Sequence, residues 1–145
     1  VPEIEAGSLI YAIRNSMINQ EAEFRKNVEI ILEKIEKAFI SVDPDIAECE
    51  QAFGTLTVTF NDRSRCILSS QPAIQQIWLA LAAEGVAYHF NLMMADGASP
   101  KEWESSKEDP MKLPMKWMDD KGRGIELLSF LSDYLSRKVG QSIQL

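Results

Sequence analysis

The sequence predicts an α+β fold: a two-layer α/β sandwich in which two helices pack on one face of an antiparallel sheet of about six strands. Apolar residues recur at the helical period near each end of the chain, first as Phe24, Val28, Ile31, Leu32, Ile35 and Phe39, then as Leu127, Leu128, Leu131, Tyr134 and Leu135. Between these stripes lie short runs in which apolar and polar residues alternate, separated by turn formers.

Taken in order, residues 1–20 read as an N-terminal tail or extension, with helix formation and docking through Leu9, Tyr11 and Ile13 left open. The apolar cluster Leu9 to Ile13 is too short for a secretory core, and Glu3 and Glu5 beside a single Arg14 do not make an intact mitochondrial presequence. The first helix is expected from about Glu21 to Phe39, with Pro44 preventing its continuation. Strands follow at Ala47 to Phe53, Thr55 to Phe60, Arg65 to Ser69, Gln75 to Leu81 and Val86 to Leu92, with Asn61-Asp62-Arg63-Ser64 as one connecting turn. Met93 to Leu113 lacks any period and is rich in turn formers and mixed charge. Met115 to Met118 resumes a strand, Asp119-Asp120-Lys121-Gly122 turns, and Ile125 to Lys138 forms the second helix, which Gly140 is placed to stop. The domain reading is therefore one unit, 21–145, preceded by the 1–20 tail.

With 145 residues, 46% of them hydrophobic, the chain can bury one core, and no apolar run approaches membrane-spanning length. A net charge of -7 repels phosphate backbones and favours cations or basic protein surfaces, so neither nucleic acid nor membrane is an expected partner. Cys49 and Cys66 each fall inside a predicted strand and form no C-x-x-C, which makes them buried reduced thiols rather than a metal-thiolate site. His89 is the single histidine; no motif sets a nucleophile beside it, so no catalytic residue is expected.

Two groups of residues stand out. In the strand ending at Leu81, Ile77, Leu79 and Leu81 take the apolar face, which turns Trp78 to the polar side with Gln76, Thr57, Thr59 and Ser69; His89 and Asn91 point the same way from the next strand. An aromatic ringed by glutamine, serine and threonine reads either as a recognition surface or as packing under a covering loop. The second group is acidic. Between Glu21 and Glu50 there are nine acids against four bases, -5 of the total -7, and Glu29, Glu33 and Glu36 share one flank of the first helix, followed by Asp43, Asp45, Glu48 and Glu50. From these residues alone a solvated helix face with pairs such as Glu33-Lys37 is a better account of the acids than a cation site.

These residues resemble a known family. Gln71, Gln76-Ile77-Trp78-Leu79-Ala80, Gly85 and Tyr88-His89-Phe90-Asn91-Leu92 are similar to the pattern of the frataxins, and the likeness extends back through Glu48-Cys49-Glu50 and Leu56-Thr57-Val58-Thr59-Phe60 and forward to Trp117, Gly122 and the last helix. The chain departs from the pattern at Ser69, where the family has asparagine, at Ala73, whose proline is displaced to Pro72, and at Asn91, where it has aspartate. The resemblance implies the same two-layer sandwich and an accessory role in iron-sulfur cluster assembly, in contact with a cysteine desulfurase and its scaffold protein. It implies weak iron binding, ferrous or ferric, on Glu29, Glu33, Glu36, Asp43, Asp45, Glu48 and Glu50, and partner contacts by Ser69, Gln71, Gln76, Trp78, His89 and Asn91. Lys37, Ala38, Phe39, Ile40 and Ser41 stand where the bacterial members carry a near-continuous acidic run, so the iron capacity expected here is lower. Against the family, residues 93–114 are an insertion, with Trp103 as its expected contact anchor. The expected location is the bacterial cytoplasm, or the mitochondrial matrix after presequence removal, and the expected state is a monomer that iron could assemble further. Two other functions compete: iron storage with ferroxidase activity, against which the chain has no Glu-x-x-His pair, and an acidic interaction module sharing only the fold.

Overall fold

The computed structural model describes residues 6–94 and 115–145, with side chains described for 21–93 and 115–145. Helix α1 (Ala6–Ala38) leads into strands β1 (Ala47–Ala52), β2 (Thr55–Phe60) and β3 (Arg65–Gln71), a 3₁₀ turn (Pro72–Ile74), strands β4 (Gln76–Leu81), β5 (Val86–Met94) and β6 (Met115–Asp119), and helix α2 (Leu127–Val139). The strands form one sheet in the order β1-β2-β3-β4-β5-β6, each pair antiparallel.

Alternation decides which face of the sheet the helices cover. Leu56, Val58, Phe60, Cys66, Leu68, Ile77, Leu79, Leu81, Phe90 and Trp117 point into one core with Val28, Leu32 and Ile35 of α1 and Leu127, Leu131 and Leu135 of α2. Two helices thus lie against a six-stranded antiparallel sheet, as the periodicity predicts. Its other face carries the intervening residues and receives no helix among the described residues.

Several boundaries differ from expectation by a residue or two, and three differences stand out. Helix α1 starts at Ala6 rather than near Glu21, so no break in the helix falls between 20 and 21. The apolar stripe from Phe24 marks part of the helix that meets the sheet, and the helical conformation extends N-terminally to Ala6. Strand β5 runs to Met94, with Met93 opposite Lys116 and Met94 opposite Met115, so the first two residues assigned to the insertion belong to the sheet. Strand β1 stops at Ala52 because Phe53 (φ 52°) and Gly54 (φ 77°) make a two-residue turn with both residues left-handed. Such turns match the twist of a hairpin but usually carry asparagine or glycine at the first position; a phenylalanine there costs about 1–2 kcal/mol.

Helix α2 is fastened at both ends. The Glu126 carboxylate accepts from the Leu128 amide, and the left-handed Gly140 (φ 79°) donates its N–H to the Ser136 carbonyl at 2.9 Å. After it, Ile143 is buried, with its N–H 2.8 Å from Ser136 Oγ.

The turn after β6 is built on Asp119, a buried acid with 5% exposure. Burial by itself raises its carboxyl pKa. The amides of Lys121 (3.0 Å) and Arg123 (2.7 Å) and the Arg123 Nε (3.0 Å) more than offset this and hold it below the ordinary value. Asp62 is likewise held at about 2, mainly by its hydrogen bonds from the Ser64 hydroxyl and amide. For acids with depressed folded-state pKa values, stability is present above the unfolded value near 3.8 and lost as pH falls through the folded one. Thermal unfolding followed from pH 6 to pH 2 should therefore show a flat melting temperature to about pH 4 and a decline below it, and Asp119→Asn should reduce that decline while lowering the plateau.

Candidate functional site

The candidate site lies on the uncovered face of the sheet. In register, Thr55, Ser69, Trp78, His89 and Asp120 cross β2 to the end of β6 in one row, and Gln71, Gln76, Asn91 and Met118 form the next. The row positions alone bring six of the expected contact residues onto this face: Ser69, Gln71, Gln76, Trp78, His89 and Asn91. Trp103, the seventh, lies outside the described residues.

Trp78 is half-buried and held by its neighbours. Its ring stacks on the His89 imidazole with centroids 4.4 Å apart and planes 16° apart. Its Nε1–H donates to Gln76 Oε1 at 2.9 Å. The Gln76 Nε2 donates in turn to Asn91 Oδ1 at 3.1 Å and to Asp120 Oδ2 at 3.3 Å. That carboxylate oxygen also lies 3.6 Å from His89 Nδ1. Gln71 Nε2 donates to Ser69 Oγ at 3.3 Å. Among the described residues no loop covers Trp78; what shields it is the stack and the amide beside it. The arrangement offers a flat aromatic surface edged by amides, a hydroxyl, a carboxylate and an imidazole, a composition suited to protein contact.

Sequence reading placed Asp120 in a turn, as the structure does, but missed its part in the site. Its position depends on the β5–β6 register, and the two strands are joined by a 20-residue connection, 95–114, to which no short-hairpin rule applies.

The seven expected metal ligands do not converge. Glu29, Glu33 and Glu36 are exposed on α1, Asp43 and Asp45 lie in the turn that follows, and Glu48 and Glu50 are exposed on β1. Asp43 is engaged locally, its Oδ1 accepting the Asp45 amide at 2.9 Å. Among the described residues no three of histidine, cysteine, aspartate or glutamate are placed to hold a metal ion. These exposed carboxylates suit loose attraction of hydrated cations, not a coordination cage.

Strand β1 also carries Cys49, whose thiol is pushed up to about 11 by burial and then by the Glu36 and Glu50 carboxylates. Cys66, fully buried, is pushed up to about 12, again chiefly by burial. The thiolate is the reactive form, so at pH 8 Cys49 should react with a disulfide reagent about a hundredfold more slowly than free cysteine, and Cys66 only on unfolding. Counting thiols released with and without denaturant checks both.

A frataxin-like domain is matched by residues 17–141. The chain belongs to the frataxin family. It is 32% identical over 126 residues to the iron-sulfur cluster assembly protein CyaY of Tolumonas auensis, covering 87% of this chain and 98% of that one. To the protein of the same name from Paraburkholderia xenovorans it is 29% identical over 123 residues, 85% of this chain and 94% of the relative. A solved frataxin from Psychromonas ingrahamii matches with a TM-score of 0.61 at 21% identity, covering 86% of this chain and 95% of that one, a likeness of fold. Among the described residues of this frataxin, as the sequence reading expected, both helices lie on one face of the sheet, and Trp78 stands on the other.

Proposed function

We propose that this frataxin serves iron-sulfur cluster assembly as an accessory protein, docking through Trp78 and its neighbours onto a complex of cysteine desulfurase and scaffold protein and modulating sulfur transfer or iron supply there. The role in assembly is supported by the iron-sulfur cluster assembly proteins to which this chain is similar over nearly their whole length. The observation that carries the docking reading is Trp78 itself: a large aromatic on the face that no helix covers among the described residues, held by a stack and a hydrogen bond instead of by the core. Preordered aromatics of this kind lose little side-chain freedom on binding and are common energetic anchors of interfaces.

Iron enters this reading as cargo. The acidic flank from Glu29 to Glu50 attracts ferrous ions to α1 and the β1 edge without fixing them, so affinity is weak and falls with ionic strength. Anaerobic titration with ferrous iron should broaden or shift amide resonances at these seven acids, and neutralising them should remove the effect; changes confined elsewhere would rule the flank out.

The function is tested by isothermal titration of the purified protein into the desulfurase–scaffold complex of its own organism, together with the rate of cluster formation on the scaffold. Binding with an altered rate is the expected result. No measurable binding and an unaltered rate would overturn it.

A further inference from the structure

We propose that Asp120 is a positioning residue: its carboxylate sets the direction of the hydrogen-bond relay that ends on the Trp78 indole, and so holds that ring in its stacked orientation. The consequence for partner binding rests on the function proposed above; the positioning itself does not.

The argument is one of donors and acceptors. An indole N–H can only donate and a carboxylate can only accept, whereas an amide side chain can turn either way. Trp78 Nε1 lies 2.9 Å from Gln76 Oε1, which leaves the Gln76 NH₂ facing Asn91 Oδ1 at 3.1 Å and Asp120 Oδ2 at 3.3 Å. Asn91 is itself an amide and could present its NH₂ instead. Asp120 has no donor to offer, so it is the one group at that end of the relay that forbids the reversed arrangement, in which Gln76 would turn its own NH₂ against the indole N–H. The same Oδ2 lies 3.6 Å from His89 Nδ1, and the His89 ring is the one stacked on Trp78 at 4.4 Å. The edge of the tryptophan and its face are therefore held by two side chains that meet at a single carboxylate oxygen.

The main chain around Asp120 does not depend on that side chain. Its N–H donates to the His89 carbonyl at 2.8 Å, and the adjoining turn is secured by Asp119. The Asp120 side chain is 25% exposed and outside the core, so it can be replaced without opening a cavity.

The test uses the free, full-length protein. In ¹⁵N spectra the Trp78 indole N–H cross-peak, assigned by its loss in Trp78→Phe, should shift in Asp120→Ala, and its heteronuclear NOE should fall below that of the buried Trp117 indole. Asp120→Asn, which can keep an acceptor oxygen in the same place, should return both toward wild type. Affinity of Asp120→Ala for the desulfurase–scaffold complex should drop by about threefold to tenfold, the usual worth of one hydrogen bond. An unmoved indole in Asp120→Ala, or an Asp120→Asn variant displaced as far as Asp120→Ala, would overturn the positioning role. A displaced indole with undiminished affinity supports that role and counts instead against Trp78 as the partner contact.

Discussion

Replacing Phe90 by alanine should lower the unfolding free energy by about 3–5 kcal/mol, the range for removing a fully buried phenylalanine. Phe90 is the largest of the side chains with essentially no exposure, and it sits on β5 opposite Ile77 of β4 and Asp119 of β6. The cavity would open beneath the strand that carries His89 and Asn91 on its other side, where neighbouring strands leave the backbone little freedom to collapse into it. For a chain of this size each kcal/mol moves the midpoint by about 2–4 °C, so a loss of roughly 10 °C is expected. Urea unfolding at constant slope measures it; a change under about 1 kcal/mol would mean that the core is looser than its burial indicates.

Trp78→Ala should weaken binding to the desulfurase–scaffold complex by tens of fold, because losing an anchoring tryptophan costs about 2 kcal/mol or more. The fold should survive, since Trp78 lies on the face opposite the core and its partners His89 and Gln76 are themselves partly exposed. Titration calorimetry supplies the affinity, and an amide spectrum of the free variant supplies the control. Wild-type affinity in a folded variant would remove Trp78 from the interface, and an unfolded variant would assign the ring to packing.

The two faces of the sheet were legible in the sequence because strand period is two, and a run such as Gln76 to Leu81 allows one choice of buried side once Ile77, Leu79 and Leu81 are placed. The stack of Trp78 on His89 needed one further step, the pairing of consecutive strands, which a short turn from Ala82 to Gly85 makes nearly certain. Asp120 was not legible, because its partner row depends on a register set across residues 95–114. The sequence leaves the start of α1 at Ala6 open, because its regular apolar stripe reads only from Phe24 onward. Nor did alternation foretell Phe53, whose backbone is left-handed and whose ring is fully exposed.

The open meander has β1 and β6 as its outer strands; β6 is partly covered, its Asp119 N–H donating to the Ile125 carbonyl at 3.0 Å and Met118 bridging to Glu126, whereas among the described residues no strand pairs with the outer row of β1. Such borders recruit foreign strands and start aggregation unless charge discourages the approach. On β1 that discouragement comes from Glu48 and Glu50, two of the acids assigned to gather cations, and on β6 from the exposed Lys116. Strip the charge from 48 and 50 and β1 becomes a template as well as a poorer collector of iron. If the acids of β1 gather iron as proposed above, solubility and metal attraction draw on the same carboxylates, and a change at 48 or 50 alters both at once.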